Sequence, residues 1–477
     1  MSSMPSMSLN GRSWRARAAA LLVVGLLSAG AVGCGGGDDD SAGDDDDGDL
    51  ASCPTSALDD ASGPVQITFW HTMQRANEAA LKELTDAYNS SQDKVKVKLV
   101  NNSDYDDQQD KYRAGLTTGD LPDVVLQQDI YLQQMIDTET ALPVQSCIDA
   151  TEDFDAEDFT GAALDYFSVD DVQWGLPFNL SNPVLYYDKV AFRKAGLDPE
   201  KPPATFDELR TAAEKIKAAG YATGMSLKVD SWQFEQLVAN QGADFANNGN
   251  GRESRATAAA FDNEAGKAVF ELFGGMVADG LATSSPRRGP SQFDNLLGIA
   301  SKHNGMSFDT TAALGTIVEL FASGQYKDVE LGVGPMPGRT DDGGIVVGGA
   351  ALYISATDPA KQAAAWDYMQ YLTSPESQSK WSAATGYIPV RASSVDLPEV
   401  KARWAEVPGF RVAYDQLVSS AHNTATDGAV IGDFEGVRDA VEEAENRMFL
   451  DKGDPDAALK GAADKATSAI EAYNDRL

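Results

Sequence analysis

The sequence predicts an α/β protein in which largely parallel sheets carry helices on both faces. Strand and helix patterns alternate through residues 65–125, and a buried strand with two capped helices follows at residues 175–209. After an N-terminal leader and an acidic linker, about 410 residues remain, a length that favours two domains. With 43% hydrophobic residues, the chain has enough apolar side chains for two cores.

The alternation begins at the start of the folded body. Val65–Trp70 has the pattern of a strand, and Glu78–Asn89 places apolar side chains at helical spacing. Residues 95–99 alternate apolar side chains with lysine, which is typical of a half-buried strand. A helix around Asp107–Thr118 then leads into the β-branched pair Val124-Val125. Because strands alternate with helices, the sheet is predicted to be mostly parallel.

The run at residues 175–209 is the most informative segment. Val184-Leu185-Tyr186-Tyr187 is typical of a strand covered on both faces. Asp188 can cap the helix that follows, and Gly196 provides its left-handed end. Thr205 and Glu208 form a capping box that opens the next helix. We expect this segment to carry the chain from one domain into the other.

The remainder of the chain also contains strand and helix patterns. The chain is expected to return to the first domain around Gly305–Val333, and a second crossover strand is predicted at Gly348–Ile354. Helices are predicted at Phe206–Ala219, Phe234–Asn240, Ala265–Val277, Pro359–Leu372 and Phe434–Met448, and Pro455–Leu477 closes the chain.

The first residues predict export. A basic segment with Arg12, Arg15 and Arg17 precedes an apolar run that ends at Cys34. Residues 1–34 are therefore interpreted as a signal peptide with a lipoprotein box, lipidated at Cys34. An unlipidated secretory signal is the alternative. The run is shorter than the ~20 residues of a membrane span, which disfavours a transmembrane anchor.

An acidic segment, residues 35–63, follows the leader. Its aspartates lie among glycine and serine, so it buries little apolar surface and its charges repel one another. We expect a disordered tether. A metal site is the alternative, but the D-x-D-x-D-G spacing of a calcium loop is missing from the sequence.

Charge and cysteine content limit the partners and the compartment. The chain has 73 acidic and 38 basic residues, a net charge of −35, which disfavours binding to nucleic acid or to an anionic membrane surface. Apart from Cys34, the cysteines are Cys53 and Cys147. In an oxidising compartment this pair predicts a disulfide that pins the start of the body. Two free buried thiols are the alternative.

Four motifs carry a resemblance to a known family. They are Phe69-Trp70-His71-Thr72-Met73, the Pro177–Leu197 run, Val347-Gly348-Gly349-Ala350 and Thr385-Gly386-Tyr387-Ile388-Pro389. Together they make the body resemble the solute-binding proteins of bacterial ABC importers, in the branch with the glycerol-3-phosphate-binding and sugar-binding proteins. The resemblance implies a two-lobed periplasmic-binding-protein fold of type II, with the ligand in the cleft between the lobes. We expect residues 64–177 and 305–350 in lobe 1, and residues 178–304 and 351–477 in lobe 2.

The resemblance also implies a set of ligand-binding residues. Tyr105 matches a ligand-binding tyrosine, and Asp129 stands where the family has the longer Glu, which alters its reach. Carboxylates suit vicinal hydroxyls because they accept two charge-assisted hydrogen bonds. For Trp70 core packing is the alternative, and turn-forming or packing roles are the alternative for the others. The candidates are Trp70, His71, Tyr105, Asp129, Ser181, Asn182, Trp232, Asp309, Thr310, Gly348, Gly349 and Tyr387.

One departure from the family bears on the ligand. Glycerol-3-phosphate binders place an arginine shortly before Leu-Gly-Asn to hold the phosphate, and Val430 occupies that position here. A sugar or polyol is therefore favoured. Glycerol 3-phosphate or a glycerophosphodiester is the alternative, in which case Arg438 or Arg391 would supply the cation.

The sequence disfavours an enzyme. It contains no G-x-S-x-G elbow, H-E-x-x-H helix or P-loop lysine, and the histidines His71, His303 and His422 lack metal-ligand spacing. A secreted carbohydrate-active hydrolase is the alternative from another class. We expect a monomeric, lipid-anchored, extracytoplasmic receptor that needs no cofactor or metal and docks on the permease subunits of an ABC importer. Delivery to a sensor protein is a further possibility.

Overall fold

The computed structural model describes residues 50–285, 293–326 and 328–477. The signal peptide, lipidation at Cys34 and the tether as far as residue 49 lie outside these residues. Leu50–Leu477 is one compact unit. Within it, Cys53 is buried and Thr55–Leu58 forms a 3-10 helix. The expectation of a disordered tether is therefore wrong for this stretch, because its bond to Cys147 holds Cys53 against the body.

The secondary structure alternates between strands and helices, as the sequence predicts. The strands are β1 Val65–His71, β2 Val95–Asn101, β3 Val124–Gln128, β4 Ser168–Val169, β5 Val172–Gln173, β6 Leu176–Ser181, β7 Pro183–Asp188, β8 Met225–Lys228, β9 Ala282–Ser285, β10 Met306–Thr310, β11 Leu331–Gly334 and β12 Gly348–Ile354. The helices of the first half are α1 Arg75–Ser91, α2 Tyr105–Thr118, α3 Leu132–Asp137, α4 Val144–Asp149, α5 Ala163–Tyr166, α6 Lys189–Lys194, α7 Phe206–Ala218, α8 Ser231–Asn240 and α9 Asn247–Asn250. Those of the second half are α10 Glu264–Ala278, α11 Asp294–Ala300, α12 Leu314–Ala322, α13 Pro359–Leu372, α14 Pro375–Thr385, α15 Pro398–Glu406, α16 Gly409–Val418, α17 Thr424–Asp427, α18 Phe434–Asp451 and α19 Pro455–Asn474. Across the described ranges, every helix is too short or too polar to cross a membrane.

Two five-stranded sheets organise the body. The first has the order β2-β1-β3-β12-β6, and the second has the order β11-β7-β10-β8-β9. In the first sheet β1 is parallel to β2 and β3, whereas β12 is antiparallel to β3 and β6. In the second sheet β8 is parallel to β9 and β10, whereas β7 is antiparallel to β10 and β11. The α/β class is confirmed, but both sheets are mixed, because the strands next to the crossovers run against their neighbours.

Each sheet has its own hydrophobic core, which defines a lobe. The first core surrounds Phe69 of β1 and Leu352 of β12, and α13 and α14 cover it with Trp366 and Trp381. The second core includes Leu185 of β7, with side chains from α7, α8, α10, α18 and α19. Strands that are apolar on both sides, such as Val184–Tyr187, are buried as the sequence pattern indicates.

The chain passes between the sheets more often than the sequence suggests. Asn182 alone separates the end of β6 in the first sheet from the start of β7 in the second. Strands β10 and β11 lie in the second sheet, whereas the sequence places residues 305–350 in lobe 1. Conversely, α13 and α14 pack in the first core, whereas the sequence places residues 351–477 in lobe 2. The first difference arises because strand-pairing partners such as Met306 and Tyr187 are distant in sequence and leave no local signal.

Candidate functional site

A cavity of about 540 Å³ lies where strand ends of the two sheets meet. Lobe 1 contributes the start of α2, the residues after β3, the end of β6 and the start of β12. Lobe 2 contributes the ends of β8 and β10 and the starts of α8 and α18. In open α/β sheets, ligands bind at such strand ends. The lining residues are Asp104, Tyr105, Asp106, Gln128, Asp129, Ile130, Ser181, Lys228, Asp230, Trp232, Phe293, Asp309, Thr310, Ala312, Gly349, Tyr387, Glu435 and Arg438.

Asp129 provides the carboxylate of the lobe 1 wall. It follows β3 directly, and its Oδ1 accepts a hydrogen bond of 2.8 Å from the backbone N–H of Ile130. Burial raises the pKa of Asp129, while Arg438 and the backbone N–H groups of Ile130 and Gly349 oppose that shift. Gly349 has φ +119°, and a Cβ there would lie 2.0 Å from the backbone oxygen of Asn179. Glycine is therefore required at this position, because a side chain would clash with the Asn179 backbone of the neighbouring strand β6.

Tyr105 and Tyr387 form the aromatic part of the same wall. Asn179 Nδ2 donates to the Tyr105 hydroxyl over 3.1 Å, and Tyr387 stacks on Trp381 with ring centroids 5.5 Å apart. Burial raises the pKa of both tyrosines. The hydroxyls thus remain protonated and can exchange hydrogen bonds with a ligand.

Trp232 provides an aromatic face from lobe 2. It lies in the first turn of α8, where the Asp230 carboxylate caps the helix and accepts from the Trp232 N–H over 3.2 Å. A Cβ at Gly348 would lie 2.6 Å from Cζ2 of the indole. Gly348 therefore makes room for the Trp232 ring and does not itself line the cavity. An indole face suits the apolar C–H surface of a sugar.

Asp309 and Thr310 complete the lobe 2 wall at the end of β10. Asn295 Nδ2 donates to Asp309 Oδ2 over 3.0 Å, and the Thr310 N–H donates to Asp309 Oδ1 over 2.7 Å. Burial raises the pKa of Asp309, and the nearby Lys228, with Nζ 4.0 Å from Oδ1, opposes the shift. Asp309 is thus held in place by its own lobe at the wall of the cavity.

Several residues expected at the site do not line the cavity. Trp70 is buried under Lys111, whose Nζ lies 3.8 Å from the ring centroid. Asn182 donates through Nδ2 to the Ala413 carbonyl oxygen over 2.9 Å, so it fastens the crossover. Together with Gly348, they have structural roles that the sequence pattern does not distinguish from ligand contacts. We therefore assign these residues no ligand contact.

His71 also lies outside this cavity, and its side chain is buried beside β1. The Met73 N–H donates to Nδ1 over 3.3 Å, and burial lowers the pKa of His71 to about 4, partly offset by Glu78.

Because of this lowered pKa of His71, the unfolded chain binds more protons than the folded one between pH 4 and 6.5. Stability should fall as pH falls through this window, and His71→Asn should reduce that loss. The urea midpoints of both proteins, determined from pH 7 to pH 4, measure this loss of stability. The same pH dependence in both proteins would contradict the lowered pKa of His71.

Arg438 is the main functional candidate that the sequence assigned only as an alternative. It lies on α18, lines the cavity and donates to Glu235 Oε2 over 3.0 Å. Glu235 lies on α8, so the pair joins two helices far apart in sequence. The other alternative cation, Arg391, donates through Nε to the Thr373 carbonyl and stacks 3.9 Å from the Phe159 centroid. Arg391 is thus a structural residue outside the cavity.

The model of the bacterial extracellular solute-binding protein family matches residues 83–409. The chain belongs to this family. Its α/β architecture with two lobes is the fold of its structural neighbours. The cyclic α-maltosyl-1,6-maltose binding protein of Arthrobacter globiformis covers 86% of the chain and 100% of its own, with a TM-score of 0.69 and 23% identity. UgpB of Mycobacterium tuberculosis, in complex with glycerophosphocholine, covers 86% and 99%, with a TM-score of 0.70 and 22% identity.

A curated relative extends the likeness along the sequence. The sn-glycerol-3-phosphate-binding periplasmic protein of Yersinia pestis bv. Antiqua is 28% identical over 425 residues, which is 87% of this chain and 94% of the relative. The family membership and these relatives place the chain among the solute-binding proteins. They agree with the branch that the sequence motifs indicate.

Proposed function

We propose that this protein is an extracytoplasmic receptor of an ABC importer that binds one small polyhydroxylated ligand, a sugar or polyol, between its lobes. The observation that carries the proposal is a cavity in which both lobes present carboxylates and aromatic rings. Asp129 and Asp309 can each accept hydrogen bonds from hydroxyl groups, and Trp232 can pack on the apolar face of a sugar ring. The specificities of two relatives, one for cyclic α-maltosyl-1,6-maltose and one for sn-glycerol 3-phosphate, support a ligand of this class.

Ligand capture by such a cavity works through lobe closure. A ligand that contacts Asp129 from lobe 1 and Trp232 from lobe 2 gains both sets of contacts only when the lobes close on it. The closed form is then the one that docks on the permease, and ATP hydrolysis belongs to the partner subunits. A role as a binding protein, rather than an enzyme, agrees with the relatives.

The charges of the cavity favour hydroxyl groups over phosphate. Carboxylates outnumber cations among its lining residues. The Arg438 guanidinium is paired with Glu235 at 3.0 Å. Lys228 Nζ lies 3.7 Å from Asp230 Oδ2. A phosphate would therefore meet little uncompensated positive charge. Glycerol 3-phosphate is the second candidate ligand, favoured by the specificity of the Yersinia relative.

The N-terminal motif completes the proposal. The basic segment, the apolar run and Cys34 support export followed by lipid anchoring to the cell membrane, with the acidic residues after Cys34 as a tether. A monomer that delivers its ligand to the permease fits this arrangement, and delivery to a sensor is the alternative.

The test of the proposed function is a thermal-shift screen of residues 50–477, which form one compact unit. Ligands that bind only the native state raise its melting temperature by mass action. The panel contains mono- and oligosaccharides, polyols, glycerol 3-phosphate and glycerophosphodiesters. We expect shifts with sugars or polyols. A shift with glycerol 3-phosphate alone would overturn the choice of ligand, and a panel without any shift would contradict the receptor role.

Asp129→Ala and Trp232→Ala should each weaken ligand binding at least tenfold, about 1.4 kcal/mol, because each removes a side chain that contacts the ligand from one lobe. Isothermal titration with the panel compound that gives the largest shift measures the effect. Trp404→Ala is the matched control, since Trp404 lies outside the cavity and should retain native affinity. Native affinity in both cavity variants would show that the ligand binds elsewhere.

A further inference from the structure

Arg438 is a buried cation with an unused donor. Its side chain is 7% exposed, and its guanidinium Cζ lies 5.1 Å from the Phe434 ring centroid on the same helix. Nη2 donates to Glu235 over 3.0 Å. Nε is buried and has no hydrogen-bond partner in the part of the chain that the structure describes. Arg438 lines the cavity while Nε is shielded from solvent, so a bound ligand can meet the remainder of its guanidinium.

The surroundings of Arg438 determine which acceptor suits it. Glu235 and Asp129 are both buried, and both act electrostatically on the guanidinium. Burial raises the pKa of both acids, that of Glu235 to about 7, and Arg438 opposes both shifts by favouring the ionised carboxylates. A phosphate or carboxylate of the ligand would add a third negative group to a buried site, and burial makes such an unbalanced charge costly. A hydroxyl or ring oxygen accepts the same hydrogen bond without adding charge.

Asp129 gives the complementary half of the interaction. A vicinal diol has hydroxyl protons to donate and oxygen lone pairs that accept. Asp129 takes the protons, and Arg438 donates to the oxygens. The two side chains come from different lobes, since Asp129 follows β3 and Arg438 lies on α18 in the second core. A ligand held by both would join the lobes.

We propose that Arg438 contacts the ligand through its guanidinium, and that Glu235, by pairing with Arg438, makes the cavity select uncharged hydroxyl oxygens over anionic groups. Arg438 is then a ligand-binding residue, and Glu235 is a specificity-determining residue that does not touch the ligand. The inference rests on the proposed function, since it takes the cavity as the ligand site.

Two variants separate these roles. Glu235→Gln keeps the side-chain shape but frees the charge of Arg438. The double variant Glu235→Gln/Arg438→Gln removes both charges, so the net charge stays that of the native protein. Melting temperatures of all three proteins establish that they fold.

The probes are matched neutral and anionic pairs: D-glucose with D-glucuronate, and glycerol with sn-glycerol 3-phosphate. They are titrated at pH 8, above the pKa of about 7 to which burial raises Glu235. Glu235→Gln should raise the affinity for the anionic member of a pair at least tenfold relative to the native protein, because Arg438 then has an uncompensated charge. The double variant should lose that gain, and it should bind the neutral probes at least tenfold more weakly than the native protein.

The outcomes separate this inference from the proposed function. If Glu235→Gln shows no gain for either anion, the inference is overturned, whatever the neutral probes show. If the native protein binds neither neutral probe but Glu235→Gln gains the anions, the inference stands and the sugar or polyol assignment needs revision. Native affinity of the double variant for the neutral probes would exclude Arg438 from the ligand contacts.

Discussion

Replacing Arg438 with methionine is expected to lower the free energy of unfolding by about 3–5 kcal/mol. The side chains of Arg438 and Glu235 are 7% and 3% exposed, so the carboxylate left behind cannot regain water. Asp129 would also lose the electrostatic attraction of Arg438, which opposes the burial-induced rise of its pKa. Urea unfolding at pH 7, compared with the native protein, measures the change.

A second variant shows whether the loss comes from an unpaired charge or from lost packing. Arg438→Met combined with Glu235→Leu removes both charges of the pair, and it should recover most of the stability that Arg438→Met alone loses. Additive losses in the double variant would instead attribute the effect to packing around α18. That outcome would contradict the account of Glu235 as the partner that balances the Arg438 charge.

Removing the disulfide between Cys53 and Cys147 is expected to lower the free energy of unfolding by about 2–5 kcal/mol. The bond joins residues separated by 94 positions, so it restricts a long loop of the unfolded chain. It also holds the N-terminal residues of the body against lobe 1. A Cys53→Ser/Cys147→Ser variant, unfolded in urea beside the native protein, tests the magnitude.

The same variant should keep the native affinity for the ligand, because both cysteines lie outside the cavity. Thiol titration of the unfolded native protein under oxidising conditions is the complementary test. Excluding Cys34, no titratable thiol is expected. Two titratable thiols from Cys53 and Cys147 would refute the bond.

The sequence predicted the class of fold well because its evidence is local. Caps such as Asp188 and Thr205 appear in the structure where the sequence placed them, accepting from the backbone N–H groups of Val190 and Glu208. The sheet assignment of residues 305–350 could not be predicted in the same way. Strand β10 joins the second sheet through partners on β7 and β8, and such pairing depends on tertiary contacts.

The candidate site likewise contains residues that the sequence could predict and residues that it could not. Tyr105, Asp129 and Trp232 were found through their positions relative to strand ends and family motifs, and all of them line the cavity. Lys228 and Glu435 line it as well, but they belong to no motif. Arg438 owes its importance to Glu235, which is 203 positions away, and no spacing in the sequence reveals that pair. Trp70 was predicted as a ligand-binding residue but is buried outside the cavity. An aromatic residue at a strand end is equally suited to the core, so the sequence could not distinguish the two roles.

The most direct test of the account is a crystal structure of residues 50–477 with the sugar or polyol that raises the melting temperature most. We expect one ligand between the lobes, with its hydroxyls on Asp129 and Asp309 and its ring against Trp232. Ligand density outside this cavity, or within it without contact to both lobes, would contradict the assignment of the site.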